Sequence, residues 1–196
     1  FVQSKGRKLA VWNEAITAGN ADTETVKSTD ALVYCWTGPE AAAAKAQQLG
    51  LKNIYTPWGP YYINRRQGNG PTDPAGAGSG SDNVQATYNQ TIHSATTYGV
   101  QGTFWCEHVS DTDYLEWLAL PRLIAVAERG WTPESGKNFS DFQKRMSADT
   151  VMLNYGNYKY CKYFMLDNGQ GGETTMVMPH ANTADKKYYY RIISGG

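Results

Sequence analysis

Four short stretches of the sequence combine aromatic rings with side chains that can bind hydroxyl groups. They are Trp12-Asn13-Glu14, Tyr34-Cys35-Trp36, Tyr62-Ile63-Asn64 and Trp105-Cys106-Glu107. If the last stretch is extended, the two-residue period of a strand places Trp105 and Glu107 on one face and Cys106 on the other. Indole walls with a few polar groups suit a sugar, because its ring faces are apolar C–H and its rim is hydroxyl. The residues alone therefore indicate a sugar-like ligand, with ordinary core packing of each tryptophan as the alternative.

These stretches lie at or just after the ends of predicted β-strands. Four runs are rich in β-branched and aromatic residues and bounded by Gly, Pro or Asn, namely Lys8–Trp12, Ala31–Trp36, Lys52–Thr56 and Val100–Trp105. In a parallel α/β sheet the loops that follow the strands build the active site. We therefore expect the aromatic and polar side chains to converge at one end of the sheet.

Helical patterns alternate with these strands. Three helices are predicted, over Pro39–Leu49, over Thr112–Arg129 with a kink at Pro121, and from Ser140 toward Met152. The first has a proline in its first turn, an alanine run and Gly50 just beyond its end. The alternation predicts an α/β fold with a parallel sheet of right-handed βαβ units. Four strands with their helices match half of a (β/α)8 barrel, and an open four-stranded sheet is the alternative.

Two segments depart from this alternation. Residues 68–83 are rich in Gly, Ser and Pro and are predicted to form a long loop, too polar and flexible to pack. From about Asp167 the chain is polar and Gly-rich, with β-like patches at Thr174–Met178 and Lys187–Ile193. We therefore divide the chain into a domain of residues 1–165 and a polar tail, or the start of a following module, at residues 166–196.

Composition argues against several functional classes. The 18 basic and 18 acidic residues balance, which argues against nucleic acid or an anionic membrane as a partner. No apolar run approaches the roughly 20 residues of a membrane helix, and we expect no signal peptide in the polar opening. The three cysteines form no CxxC pair and the three histidines lack ligand spacing, so we expect no metal and no cofactor. Cys35 and Cys106, each beside a tryptophan in an apolar stretch, are expected to be buried, inert thiols.

The order of the motifs resembles the C-terminal half of the catalytic domain of family 20 glycoside hydrolases, the β-N-acetylhexosaminidases. The matching stretches are Gly6-Arg7, Val11–Glu14, Val33–Trp36, Pro60–Asn64, Gly99–Glu107, Glu116, Leu120–Trp131 and Phe142–Arg145. They cover roughly residues 6–150, and the W-x-E at Trp105 followed by PRL-x-A-x-AERGW is their most specific part. The 68–83 loop and the residues after about Asn154 have no recognisable counterpart in the family.

The resemblance implies a (β/α)8 barrel in which these four strands are the fifth to eighth. It implies that Trp12, Trp36 and Trp105 line the pocket of a terminal N-acetyl sugar. It also implies that Tyr62 donates a hydrogen bond to the acetamido carbonyl oxygen of this sugar, and that Glu107 binds hydroxyls on the far side of the sugar. Asn64 stands where the family usually has an aspartate that binds the same hydroxyl edge. An amide can donate as well as accept, so the preference between glucosamine and galactosamine types stays open.

The family's chemistry, as implied by the resemblance, needs a residue pair that this sequence lacks. The acetamido oxygen of the substrate attacks the anomeric carbon, and an adjacent Asp-Glu pair after the fourth strand orients that group and supplies the general acid and base. The 196 residues contain no Asp-Glu dipeptide. We therefore assign no catalytic residue and expect this chain alone to be inactive.

A half barrel would expose two sheet edges and apolar helix faces, which proteins normally cover. We therefore expect a protein partner, either the N-terminal half of the barrel or a second copy of this chain. The expected ligand is an N-acetylhexosamine-terminated glycan, and the expected location is extracellular, cell-surface or periplasmic. Two alternatives stay open: a non-catalytic carbohydrate-binding or structural half-barrel that dimerises, and an unrelated α/β scaffold.

Overall fold

A computed structural model of the chain describes residues 1–68, 73, 75–78, 80–92, 97–161, 164–167 and 173–176. The chain divides into two compact units. The first unit comprises Phe1–Tyr62, Gln90–Thr103 and Val126–Lys137, and the second comprises Ile63–Asn89, Phe104–Ala125 and Asn138–Gly196.

The first unit is built on a four-stranded parallel sheet. Its strands are β1 (Ala10–Trp12), β2 (Leu32–Cys35), β3 (Asn53–Tyr55) and β4 (Thr97–Val100), in the order β1-β2-β3-β4. Each strand therefore pairs with the next one in the chain, as in a singly wound barrel, without the reversal of order found in a doubly wound sheet. The predicted parallel α/β organisation is confirmed.

The first three strands lie within their predicted ranges, whereas the predicted strand Val100–Trp105 is wrong. The ladder of β4 ends at Val100, and the only later pairing described there is an isolated bridge between Thr103 and Tyr62. The reason is the neighbouring strand: β3 ends at Tyr55, and the chain then turns through residues 58–61. Beyond that point β4 has no continuous partner to extend along.

The core of the first unit lies between the sheet and helix α3 (Pro39–Gln48), which follows the short helices α1 (Glu14–Thr17) and α2 (Thr23–Ser28). A preceding 3-10 turn covers Gln3–Lys5. Three alanines of α3 are fully buried against Val33 and Cys35 of β2. Alanine lets the helix approach the strands closely, and Gly50 ends it with a positive φ of 72°. This helix is confirmed.

The second unit contains mainly helices. Their bounds are Val84–Asn89 (α4), Thr112–Ala119 (α5), Arg122–Trp131 (α6, whose last six residues belong to the first unit) and Phe139–Tyr155 (α7). The predicted single helix Thr112–Arg129 is in fact two, because Pro121 lacks the N–H that would continue α5 and its ring clashes with the preceding turn. The third predicted helix begins one residue earlier than expected, at Phe139, since the Asn138 side chain accepts a hydrogen bond from the Asp141 amide and caps it.

Two strands lie near the predicted boundary between the domain and the tail. Strands β5 (Phe164–Asp167) and β6 (Glu173–Met176) form an antiparallel pair. The second lies at the predicted patch Thr174–Met178, and the patch Lys187–Ile193 lies outside the described residues. The division at residue 165 stays a prediction. In the described part of the chain, none of the helices has the length and apolar character needed to cross a membrane.

Candidate functional site

An aromatic cluster occupies the carboxyl ends of β2 and β3 in the first unit. The rings of Trp36 and Tyr62 have centroids 6.0 Å apart. Trp58 meets both rings edge-to-face, with its centroid 4.7 Å from Tyr62 and 6.5 Å from Trp36. Tyr62 is buried, Trp36 is half-buried and Trp58 is 45% exposed. The three rings therefore form a packed wall that keeps part of its surface open to solvent.

The side-chain alternation of β2 explains why Trp36 points toward this wall. Cys35 and Val33 face the core beneath α3, so Tyr34 and Trp36 face the opposite side of the sheet. Trp36 is then held by two bonds: its indole N–H donates to Glu14 Oε1 at 2.8 Å, and its backbone N–H donates to Asn13 Oδ1 at 3.0 Å. The buried Asn13 thus ties the end of β2 to the end of β1, and Glu14 orients the indole.

Tyr62 and Trp58 are fixed by the backbone of the turn after β3. Trp58 N–H donates to the carbonyl of Trp36 at 2.8 Å, and Thr103 N–H donates to the carbonyl of Tyr61 at 2.7 Å. Beneath them the buried hydroxyls of Thr56 and Thr103 share a hydrogen bond of 2.6 Å. These bonds fix the backbone that carries Trp58 and Tyr62.

Trp12 lies at the end of β1, in a separate contact. Its ring meets Tyr34 edge-to-face with centroids 5.8 Å apart, and it is 40% exposed. Trp12 therefore presents an accessible ring on the same side of the sheet as Trp36, in contact with Tyr34.

Asn64 belongs to the second unit and is buried. It is 2% exposed, and its Oδ1 accepts no hydrogen bond from any residue that the structure describes. The backbone around it is held firmly: the buried guanidinium of Arg122 donates to the carbonyls of Ile63 at 2.6 Å and Arg65 at 2.7 Å. A buried amide oxygen that lacks a partner is free to accept a bond from a ligand hydroxyl.

Trp105 and Glu107 lie in an irregular segment of the second unit. Trp105 is 43% exposed, and Cys106 and Glu107 are exposed as well. The predicted alternation of faces is wrong here because residues 104–106 form no strand and residues 107–108 are in a turn. Cys106 is therefore not the buried thiol we expected. Cys35 is buried as expected, and this burial raises the pKa of its thiol to about 12.

Sequence reasoning found Trp36 and Tyr62, which the structure brings together, and missed Trp58. Strand periodicity could not find Trp58 because it follows Pro57 in a turn, where the two-residue period no longer applies. The available signal was a tryptophan four residues before Tyr62, in a segment of β-turn residues.

Within the described residues, no group of three or more His, Cys, Asp or Glu side chains could hold a metal ion.

The long loop at residues 68–83 was expected not to pack, and its described part contradicts this. Ala77 N–H donates to the carbonyl of Asn64 at 3.0 Å, and Asp82 forms an ion pair with Arg65 at 2.5 Å. Tyr114 also donates its hydroxyl to the carbonyl of Ala75. A polar loop can pack in this way when backbone and charged groups supply its partners.

Comparisons with known proteins agree with one another. Residues 1–134 match the model of glycosyl hydrolase family 20, catalytic domain. The β-hexosaminidase of Porphyromonas gingivalis is 28% identical over 184 residues, which are 90% of this chain and 22% of that protein. That of Vibrio vulnificus is 25% identical over 161 residues, covering 67% of this chain and 19% of that protein. The chain thus spans about a fifth of the length of these relatives.

Solved structures share the fold. The family 20 exo-β-N-acetylglucosaminidase of Vibrio harveyi, solved in complex with N-acetylglucosamine, superposes with a TM-score of 0.69 at 22% identity, over 82% of this chain and 25% of that chain. The family 20 β-N-acetylhexosaminidase of Streptomyces coelicolor gives a TM-score of 0.69 at 22% identity, over 82% of this chain and 34% of that one.

Proposed function

The chain belongs to glycosyl hydrolase family 20, and on that premise we propose that it forms the sugar-binding part of a β-N-acetylhexosaminidase. The observation that carries the proposal is the wall of Trp36, Trp58 and Tyr62 at the carboxyl ends of the strands. Indole rings favour the apolar face of a sugar ring, and a tyrosine hydroxyl can donate to an acetamido oxygen.

The proposed roles follow the chemistry of each side chain. By the family resemblance, Trp12, Trp36 and Trp105 are each assigned a contact with the terminal N-acetyl sugar, and Trp58 is added as a further contact. Tyr62 donates to the acetamido carbonyl oxygen and thereby holds it in the orientation from which it attacks the anomeric carbon. Asn64 and Glu107 bind hydroxyls of the sugar, Asn64 through a buried amide and Glu107 through a solvent-exposed carboxylate.

The chain's own residues bind and orient the substrate, and the proton transfers fall to other residues. The 196 residues contain no Asp-Glu dipeptide, so the proposal assigns the acid, the base and the group that orients the acetamido nitrogen to polypeptide outside this sequence. The four strands are then the fifth to eighth of a (β/α)8 barrel. The N-terminal half of that barrel, or a second copy of this chain, covers the free edges of the sheet.

The expected ligand is a glycan ending in N-acetylhexosamine. The expected location of the protein is extracellular, cell-surface or periplasmic, where such glycans occur. The alternative function is carbohydrate binding without hydrolysis by a dimeric half-barrel. It is favoured by one observation, that the aromatic wall is present while the Asp-Glu pair is not. Combining the chain with the N-terminal half of the barrel distinguishes the two functions, because only a hydrolase gains N-acetylhexosaminidase activity.

Binding of N-acetylglucosamine to the full chain, followed by tryptophan fluorescence, tests the proposal directly. Trp36→Ala and Trp58→Ala should each weaken binding about threefold to tenfold, because each removes a stacking surface worth about 0.5–1.5 kcal/mol. Trp131→Ala is the matched control, since Trp131 is 91% exposed and lies at the end of α6. Equal losses in all three variants, or no binding by the unmodified chain, would overturn the proposal.

A further inference from the structure

Arg122 is a buried cation whose described hydrogen bonds go to backbone carbonyls. Its side chain is fully buried. Nη2 donates to the carbonyls of Ile63 and Arg65, on either side of Asn64, and to Leu118 at 2.5 Å. Nη1 donates to the carbonyl of Asp82 at 3.1 Å. One rigid, planar group therefore fixes the peptide units on both sides of Asn64.

The 68–83 loop also holds the backbone of Asn64. The carbonyl of Asn64 accepts from the N–H of Ala77 at 3.0 Å. The neighbouring Gly76 lies so close to this backbone that a Cβ added there would lie 2.7 Å from the carbonyl carbon of Arg65 and would also collide with the nitrogen of Arg66. Only glycine permits this approach. Residues 75–78, which we call the clamp segment, therefore depend on Gly76 to reach Asn64.

The side chain that these contacts position is incompletely bonded. Asn64 is 2% exposed and its Oδ1 has no hydrogen-bond donor among the described residues. A buried acceptor without a partner is costly. A sugar hydroxyl that reaches this oxygen would supply the donor that the described residues do not.

We propose that Arg122 and the clamp segment are positioning elements that determine which sugar hydroxyl Asn64 reads, and so set the discrimination between C4 epimers of the N-acetyl sugar. The inference rests on the proposed function of this chain and adds to it residues that touch no substrate. Arg122 acts through the carbonyls of Ile63 and Arg65, and Gly76 acts by bringing Ala77 to the carbonyl of Asn64. A shift of either moves the amide relative to the hydroxyl edge of the sugar.

The test compares the affinities of the full chain for N-acetylglucosamine and N-acetylgalactosamine, which differ only in the configuration at C4. Arg122→Lys keeps the charge but loses the planar fork of donors, and Gly76→Ala displaces the clamp segment while leaving Arg122 intact. Each should change the ratio of the two affinities by about threefold or more, the effect expected when one hydrogen bond is misplaced. The controls are Arg145→Lys, at an exposed pair with Asp141 in α7, and Gly19→Ala, where an added Cβ meets nothing within 4 Å.

The outcomes distinguish this inference from the function on which it rests. A changed ratio in Gly76→Ala supports the inference even if Arg122→Lys fails to fold. Equal weakening for both sugars, with the ratio as in the unmodified chain, would show that both residues are merely structural and would overturn it. If the unmodified chain binds neither sugar, the proposed function fails and the inference falls with it.

Discussion

At the scale of single residues, the aromatic wall depends on polar neighbours as much as on its rings. Glu14 accepts from the indole of Trp36, and Asn13 accepts from its backbone amide. Glu14 is therefore a hydrogen-bonded structural carboxylate that orients the indole of Trp36.

The three cysteines allow a chemical test of the second-unit residues. Cys106 is exposed between Trp105 and Glu107, whereas Cys35 and Cys161 are buried. Burial raises the pKa of Cys35 to about 12, so its thiol stays protonated at pH 8. Mass spectrometry should find one rapidly alkylated thiol per chain with iodoacetamide, and N-acetylglucosamine should slow that reaction severalfold.

Cys106→Ser serves as the control and should remove the rapid alkylation. A second fast thiol would contradict the burial of the other two cysteines. Unchanged alkylation at saturating sugar would contradict the role proposed for Trp105 and Glu107.

Periodicity identified candidate residues that lie on or directly beside strands, but it cannot show contacts between residues that are distant in sequence. Trp36 follows from the alternation of β2. Arg122 meets the carbonyl of Ile63 across 59 positions of the chain, and nothing in the local sequence pattern of either residue shows that contact. The family resemblance makes Asn64 a candidate site residue, but only three-dimensional packing shows that its Oδ1 accepts no hydrogen bond from the described residues.

At the scale of elements, Gln67 links the chain after Asn64 to the end of α5. Its buried amide nitrogen donates to the carbonyls of Trp117, Leu118 and Leu120, at 2.5, 3.1 and 2.8 Å. These are carbonyls that a helix leaves without a partner at its carboxyl end. The side chain thus takes the place of the helical hydrogen bonds lost at the break before Pro121.

Gln67→Leu should lower the free energy of unfolding by about 1–3 kcal/mol, since the carbonyls at the end of α5 lose the hydrogen bonds that this amide supplies. Urea denaturation followed by circular dichroism measures this, with Gln47→Leu on the exposed face of α3 as the control. A loss no larger than that of the control would show that the α5 terminus is satisfied without Gln67.

Element types were predictable where local propensity and tertiary packing agree. The alanine-rich α3 and the first three strands are examples. The sequence placed the fourth strand too late because Val100–Trp105 has strong strand propensity, but a strand also needs a neighbour, and β3 ends at Tyr55. The packing of the 68–83 loop was missed because its partners, Arg65 and Tyr114, lie outside the loop.

At the scale of the whole molecule, the described sheet has β1 and β4 at its two edges. Unpaired edges of a parallel sheet favour association. We therefore expect light scattering to give a mass of about twice the 21.7 kDa of one chain, or a one-to-one complex with a barrel half of similar size. A stable monomer that unfolds cooperatively would contradict the half-barrel account.

The most direct test of the central claim, that this chain recognises an N-acetyl sugar, is a calorimetric titration with N-acetylglucosamine and with glucose. The two differ only in the group at C2, to which Tyr62 is proposed to donate. The account predicts that the chain prefers N-acetylglucosamine by about tenfold or more, and that Tyr62→Phe, which removes only the hydroxyl, reduces this preference by roughly fivefold. Equal affinity for both sugars, or an unchanged preference in Tyr62→Phe, would contradict it.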